Sequence, residues 1–265
     1  MKRLIAFVSA ITLIVCCLAS CDAFGIGGGP ADKIEAAEAS LEGGKYTTIV
    51  TTTITTDNEE LKAALEGVES SSTKVIYDGE SSKVLAEISL DGFELTNEYV
   101  LIDGVLYRTT TANSGTASAT VKEKAKIGEN DIADLTERLG SGLDIGADDF
   151  ESFSEEDGGA KTVITCSKIK DEPFAALTAA LTSRFESIGG EAVMVKSSVY
   201  YKVELLGGEL FKTVLGCYYA VAVDSVSYPV TVEIETFYDY SSEVSVTAPA
   251  DAAGYESVTL DTIVK

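Results

Sequence analysis

The side chains that could carry out covalent chemistry in this sequence are few and poorly placed. Cys166 and Cys217 are candidate nucleophiles, and Ser167-Lys168 and Lys196-Ser197 are candidate Ser–Lys pairs. The 265 residues include no histidine, the commonest general base and the usual activator of a serine or cysteine nucleophile. Adjacent residues of a strand point to opposite faces, so neither Ser–Lys pair can act together. The sequence therefore predicts a protein that is not an enzyme.

Two further kinds of site can be weighed from residue types alone. Cys166 and Cys217 fall on expected strands, where they either form a disulfide across the sheet or lie buried as two separate thiols. The carboxylates of residues 148–157 could bind calcium, but their spacing does not match an EF-hand loop. A solvated acidic loop is favoured there, and no metal or other cofactor is expected.

The residue with the clearest predicted chemistry is Cys21. Lys2 and Arg3 precede an apolar run over residues 4–18, which is shorter than a membrane-spanning helix and has the layout of a secretory signal. Leu18-Ala19-Ser20-Cys21 resembles the bacterial lipobox, whose cysteine thiol is joined to a diacylglycerol. We therefore expect a signal peptide over residues 1–20, a lipidated Cys21 with a glycine-rich tether to residue 30, and an extracytoplasmic domain anchored to the cell membrane.

The charge of this domain limits its partners. The signal contains two of the 20 Lys and Arg residues and none of the 43 Asp and Glu residues, so the remainder has a net charge of −25. Nucleic-acid binding needs a basic surface, and so does a second contact with anionic lipid. The sequence excludes nucleic acid, predicts membrane contact through the anchor, and leaves a protein partner open.

The rest of the chain alternates between helical and strand periodicity. Helices are expected over residues 31–41, 131–139 and 171–188, with a shorter helix at 57–68. Tyr46, Val50 and Ile54 share one face of a first strand. Asp-Gly pairs at 78–79, 91–92 and 103–104 predict hairpin turns in an antiparallel meander over residues 73–111. Residues 113–119 are small and polar and predict a loop.

Clean alternation marks three long strands after residue 190, followed by a short strand that contains Val244 and Val246. The predicted inward residues of the first two strands are Val193, Val195, Val199, Tyr201, Val203, Leu205, Phe211, Leu215, Cys217, Tyr219, Val221 and Val223. Long antiparallel strands with one apolar face require a cover, which the amphipathic helices can provide. The fold class predicted is α+β, with residues 31–265 as a single domain.

Several motifs also resemble a known family. Tyr99, Asp103-Gly104 and Tyr107 lie in the meander, and the last long strand ends in residues 237–240 (FYDY), followed by Ala-Pro-Ala-Asp-Ala at 248–252. Together with the lipobox, this pattern over residues 31–255 resembles the lipoprotein-carrier superfamily, in particular the mycobacterial lipid-carrying lipoproteins. The resemblance implies a strongly curved antiparallel β-sheet, a half-barrel with helices on its concave face and an apolar cavity for acyl chains. It implies no catalytic residue.

The expected function is to bind or transfer a lipid or other apolar ligand between sheet and helices. The expected lining residues are Val199, Tyr201, Val203, Leu215, Tyr219 and Val221, with Phe174, Leu177 and Leu181 as a lid. The alternative is a non-enzymatic interaction or structural lipoprotein of the cell envelope, whose helices fill the core completely.

Overall fold

A sheet of twelve strands dominates the part of the chain that the computed structural model describes, which is residues 29–41, 43–59, 62, 70–79, 81–90, 93–115, 117–127, 145–186, 190–223, 226–240 and 244–263. The strands are β1 (Lys45–Thr55), β2 (Ser70–Asp78), β3 (Ser81–Leu90), β4 (Phe93–Ile102), β5 (Val105–Ser114), β6 (Ala117–Lys126), β7 (Phe150–Asp157), β8 (Lys161–Ile169), β9 (Gly190–Leu206), β10 (Glu209–Val223), β11 (Val226–Asp239) and β12 (Glu256–Ser257). The helices are α1 (Pro30–Ala39), α2 (Asp171–Glu186) and α3 (Leu260–Ile263), and single 3₁₀ turns occupy Ala147–Asp149 and Ala252–Gly254.

Two meanders form this sheet. Its strand order is β12-β6-β5-β4-β3-β2-β1-β11-β10-β9-β8-β7, so β1 to β6 follow one another on one side and β11 to β7 on the other. The two meanders meet where β1 pairs antiparallel with β11. The short β12 runs parallel to β6, while the other paired strands are antiparallel. The described chain is therefore an α+β protein built on one large antiparallel sheet.

The predicted hairpins are confirmed where they can be compared. Asp103 and Gly104 both have positive φ angles, 51° and 67°, as a type I′ turn requires. At the first hairpin Asp78 still pairs with Ser81, so the connection is one residue later than Asp78-Gly79. The Asp-Gly pair at 91–92 lies outside the described residues.

Two segments predicted as loops are strands. Ser114 pairs with Ala117, so residues 113–119 contain a tight turn between β5 and β6 rather than a loop. Their small side chains provide no hydrophobic alternation by which sequence could reveal the strands. The acidic residues 150–157 form β7, and Glu151, Glu156 and Asp157 are solvent-exposed as expected. Charges on an edge strand hinder pairing with another sheet.

The predicted helices at 31–41 and 171–188 are confirmed as α1 and α2. Proline suits the first turn of α1, and the Asp32 carboxylate accepts the N–H of Gly29 at 2.6 Å. The helix buries Ile34 and Ala37 against the sheet. The helix predicted at 131–139 and most of the one at 57–68 lie outside the described residues.

The sheet has two chemically different faces. We call the face toward α1 and α2 the helix face; its β1 residues include Tyr46, Val50 and Ile54, which are buried as predicted. The main core lies between these helices and strands β1 and β7 to β11. The opposite face carries ion pairs such as Lys83–Glu98 (2.7 Å) and Lys161–Glu204 (2.7 Å).

A bulge in β9 corrects the prediction that Val193 and Val195 point inward. Cys217 pairs with Val199, but two residues later Tyr219 pairs with Met194, so β9 has extra residues between these pairs. Val193 and Val195 are 55% and 59% exposed as a result. The hydroxyl of Ser198 stabilises the bulge by donating to the carbonyl oxygen of Val195 at 2.6 Å.

A second bulge, in β10, corrects the prediction for Phe211. The register against β9 shifts between Leu210 and Lys212, and Leu210 takes the buried position instead. Phe211 packs edge-on against Phe237, with ring centroids 5.0 Å apart, on the opposite face. Alternation alone cannot predict such a shift, because pairing with the neighbouring strand creates it.

Residues 244–263, which we call the C-terminal strap, first cross the opposite face. The prediction that Val244 and Val246 form a strand is wrong, since this stretch is irregular. The N–H of Val246 donates to Asp78 Oδ2 at 3.0 Å. Farther along, the Tyr255 ring packs against Tyr107 with centroids 5.3 Å apart. The strap thereby covers part of a face that would otherwise be exposed.

The strap then passes around the β6 edge to the helix face. Residues of β12 pair with Glu123 and Lys124 of β6. Ile263 is fully buried beside Leu106 and Ala125, and its carbonyl oxygen accepts from Arg108 Nη1 at 2.6 Å. The strap thus protects an edge on which another strand could pair.

Ile263→Asp is expected to release the end of the strap. A carboxylate at residue 263 would be buried beside Leu106 and Ala125, and the neighbouring Arg108 is already paired with Glu123, so we expect a loss of about 2 kcal/mol in stability. Hydrogen exchange should become faster in β6, and thermal unfolding should begin earlier. Thr262→Asp is the matched control because Thr262 is exposed. If both changes lowered the stability equally, the burial of Ile263 would not be the cause of the loss.

Candidate functional site

The residues predicted to line a ligand cavity lie in the main core. Val199, Tyr201, Val203, Leu215, Tyr219 and Val221 are buried in one cluster with Leu177 of α2 and Ile34 of α1. Phe174 is half-buried and packs against this cluster. Leu181 belongs to α2, and its side chain lies outside the described part of the chain. Apart from Leu181, the predicted residues are thus brought together in one cluster, which also contains residues of α1 and α2.

Cys166 and Cys217 are free, buried thiols. Cys166 of β8 pairs with Tyr201 of β9, and Cys217 lies one strand beyond, on β10. Two strand spacings separate the cysteines by roughly 9 Å or more, whereas a disulfide needs Cα atoms within about 7 Å. The sequence leaves open a disulfide or two separate thiols, and the structure contains two separate thiols.

These thiols are expected to be inert in the folded protein. Burial is the main cause that raises the pKa of each to about 12, and the charge of Glu38 adds to the shift at Cys166. The reactive thiolate is therefore scarce at pH 8, and the sheet and helices block access. Ellman's reagent should modify neither cysteine in native protein and both after unfolding. Rapid modification of native protein would contradict this packing.

A half-covered surface lies beside the core on the same helix face. Val75, Val84, Ala86, Leu95 and Tyr99 share this face of β2, β3 and β4 and are all half-buried. We call these five residues the apolar strip. The other face of the same strands is charged, with residues such as Lys74, Glu87 and Glu94.

The described helices pack mainly on either side of the apolar strip. Helix α1 contacts β7 and β10, and α2 contacts β9, while α3 contacts β6 at the other end of the sheet. The residues of the strip are half-buried whereas those of the core are fully buried, although both sets are apolar. An apolar surface of this kind is suited to contact with apolar matter.

Buried threonines adjoin the strip where the two meanders meet. The Val50 side chain is surrounded by Thr48, Thr52, Thr73 and Thr236, and Thr213 follows on β10; these five residues form what we call the threonine patch. All five are buried on the helix face. The patch therefore places hydroxyl groups between the filled core and the apolar strip.

The hydroxyls of the patch differ in their partners. The Thr213 hydroxyl hydrogen-bonds the side chains of Tyr201 and Tyr238. In contrast, no group in the described part of the chain bonds Thr52 Oγ1 or Thr236 Oγ1, and both atoms are buried. Buried polar atoms are usually hydrogen-bonded, so these two atoms require an explanation.

Tyrosines surround the end of the patch. Tyr46 stacks on Tyr77 with centroids 4.6 Å apart and lies 6.4 Å from Tyr238 and 6.1 Å from Tyr240. Burial raises the pKa of Tyr238 above its usual range, and the charge of Glu38 adds to that shift. Burial raises the pKa of Tyr240 to about 12. At neutral pH the phenols of Tyr238 and Tyr240 are therefore uncharged and can donate or accept hydrogen bonds.

The arrangement can therefore bind through apolar contact and hydrogen bonds. Within the described residues, Asp, Glu and Cys do not gather in groups that could hold a metal ion. No helix among them is long and apolar enough to cross a membrane.

Comparisons with known proteins do not assign this chain to a family. No protein-family model matches the chain, and neither does any curated protein. Among solved structures, the dehydratase domain of RzxB from Pseudomonas fluorescens is 7% identical with a TM-score of 0.17, covering 72% of this chain and 76% of that chain. An inactive mutant of the CurK dehydratase is 11% identical with a TM-score of 0.14, covering 83% of each chain. Likeness at these TM-scores carries no argument about fold or activity.

Hydrophobic alternation in the sequence predicts the core of the helix face but neither the apolar strip nor the threonine patch. The alternation in β2 to β4 was visible, yet it does not reveal where helices pack. The threonines of residues 47–56 indicate a strand but not which of them are buried, and Thr47, Thr48 and Thr52 are buried.

Proposed function

We propose that this protein is a membrane-anchored extracytoplasmic lipoprotein that binds or transfers a lipid or other apolar ligand. The apolar strip is the observation that supports this function. Its five side chains are half-buried on a face that is covered elsewhere, while the other face of the same strands is charged. The ligand site proposed here is therefore on β2 to β4, next to the residues first expected to line it.

In this proposal the sheet is strongly curved, a half-barrel whose concave side is the helix face, and the ligand lies across its strands. Tyr99, Val84 and Val75 are directly paired on β4, β3 and β2, and Thr48 follows on β1. Four strand spacings from β4 to β11 span about 19 Å, comparable to an extended long acyl chain. Burial of the chain would contribute about 0.8 kcal/mol per CH₂ group.

The proposed anchor precedes helix α1, which covers the core beside this site. A diacylglycerol on Cys21 would hold the domain through the tether of residues 21–30, and α1 begins at Pro30. Helix α1 is fixed to β7 by an ion pair between Lys33 Nζ and Glu155 Oε1 at 2.5 Å. With a charge of −25, the domain would be repelled by an anionic membrane surface, which keeps the ligand site accessible. The proposal gives the protein no catalytic role.

An interaction or structural protein of the cell envelope is the second candidate. The observation that favours it is a pair of exposed apolar side chains on the opposite face. Ile49 and Phe237 are paired across β1 and β11 and are 40% and 38% exposed. Phe211 packs beside them. Such a patch could contact a protein partner while the helix face remains closed.

Native mass spectrometry tests the proposed function. The chain from residue 21 onward, with Cys21→Ser to prevent lipidation, would be purified without detergent and incubated with a membrane lipid extract. We expect a discrete added mass at near-stoichiometric occupancy, which would also identify the ligand class. A mass that remains that of the protein alone would exclude lipid binding and favour the second candidate.

A further inference from the structure

We propose that the ligand of the apolar strip carries an uncharged hydrogen-bonding group, such as an ester, amide or hydroxyl, and that Thr52 and Thr236 bind this group. The inference rests on the proposed function and specifies its ligand. It places the polar group where the two meanders meet and the apolar chain across β2, β3 and β4.

The inference rests on two buried hydroxyl groups, those of Thr52 and Thr236, that lack a hydrogen-bond partner in the described part of the chain. The two residues are each 1% exposed. A buried hydroxyl without a partner is destabilising, and native proteins usually satisfy it with protein, water or a bound molecule. Having two such hydroxyls in one patch is consistent with a site that receives a polar group.

The two hydroxyls are placed to bind the same group. Thr52 of β1 pairs with Ile234 of β11, and Thr236 is two residues farther along β11 on the same face. Diagonal neighbours of this kind are roughly 7 Å apart, so both hydroxyls can reach one small polar group between them. Thr73 of β2 pairs with Val50 on the side away from Thr236. It therefore lies between the two hydroxyls and the apolar strip.

The charges around the patch favour an uncharged group. The helix-face residues of β1, β2, β10 and β11 include no lysine, arginine, aspartate or glutamate among the described side chains. Glu38 of α1 acts electrostatically on Tyr201 and Tyr238, the two tyrosines that hydrogen-bond Thr213 of the patch. A carboxylate or phosphate would meet this negative charge without a cation, whereas an ester or hydroxyl would not.

Three probes and three variants test the inference. The probes are a long-chain monoacylglycerol, the fatty acid of the same chain length, and the corresponding alkane. The variants are Thr52→Val, Thr236→Val and, as a matched control on the opposite face of β1, Thr51→Val. Dissociation constants would be measured by displacement of a fluorescent acyl probe, and thermal stability would be measured without ligand.

We expect the unmodified domain to bind the monoacylglycerol more tightly than the fatty acid. Thr52→Val and Thr236→Val should each weaken monoacylglycerol binding about 3- to 10-fold, the range for one neutral hydrogen bond, and leave alkane binding unchanged. Because each change removes an unpartnered buried hydroxyl, the Tm without ligand should stay constant or rise by about 2–4 °C. Thr51→Val should alter none of these values.

Two results would overturn the inference and leave the proposed function standing. One is equal binding of all three probes with no effect of either valine variant. The other is a lower Tm in both valine variants with unchanged binding, which would assign the hydroxyls to a structural water. Failure of every probe to bind the unmodified domain would overturn both the inference and the proposed function.

Discussion

Gly216→Val is expected to cause the largest loss of stability among single changes in the sheet. The ring of Tyr200 lies directly over Gly216, and a Cβ atom at residue 216 would come within 2.1 Å of Tyr200 Cζ. The Tyr200 hydroxyl reaches across Gly216 of β10 and donates to Glu233 on β11, which holds the ring in this place. The ring and its hydrogen bond would both be displaced, so we expect a loss of about 3 kcal/mol and a Tm lower by roughly 6–12 °C.

Two controls isolate the contact between Tyr200 and residue 216. Gly146→Ala places a methyl group at a glycine with no atom within 4 Å, and it should leave the Tm nearly unchanged. In a Tyr200→Ala background, Gly216→Val should cost much less than it does with the tyrosine present, because valine suits a strand. An equal cost in both backgrounds would show that the ring is not the cause.

Val84→Asp is expected to have the largest effect on ligand binding. Val84 lies at the centre of the apolar strip, paired with Val75 on one side and Tyr99 on the other. A bound acyl chain would bury the new carboxylate without a cation, and we expect affinity to fall by on the order of 100-fold. Because Val84 is only half-buried without ligand, the stability of the protein should change little. Displacement of a fluorescent acyl probe measures the loss of affinity.

Leu85→Asp is the matched control for this change. Leu85 is the next residue of β3, also half-buried, and its side chain is on the opposite face. The same charge there should leave binding almost unchanged. If Val84→Asp and Leu85→Asp bound the acyl probe with equal affinity, the apolar strip would be excluded as the ligand site.

Sequence periodicity predicted much of the sheet because each strand has one buried face. Most of the buried residues of β1, β10 and β11 follow the alternation seen in the sequence, although Thr47 is buried on the opposite face of β1. Periodicity failed at Val195 and Phe211, where extra residues in one strand change which side chains point inward. It also failed at residues 113–119, whose small side chains are similar on both faces.

The candidate site was harder to predict because it depends on how helices and strands pack. The strands of the core and those of the apolar strip have the same alternating pattern, and among the described helices α1 and α2 contact the strands of the core rather than those of the strip. The buried state of Thr52 and Thr236 results from their neighbours on adjacent strands and from the cover over this face. A run of threonines on its own indicates a strand and not which side is buried.

Photo-crosslinking tests the proposed ligand site most directly. A lipid with a photoreactive diazirine in its acyl chain would be bound to the domain, activated by light, and located by mass spectrometry of peptides. We predict labels on β2 to β4 at or beside Val75, Val84 and Tyr99, suppressed by excess unlabelled lipid. Competable labelling confined to the opposite face, for example at Ile49 and Phe237, would contradict a ligand site on the helix face.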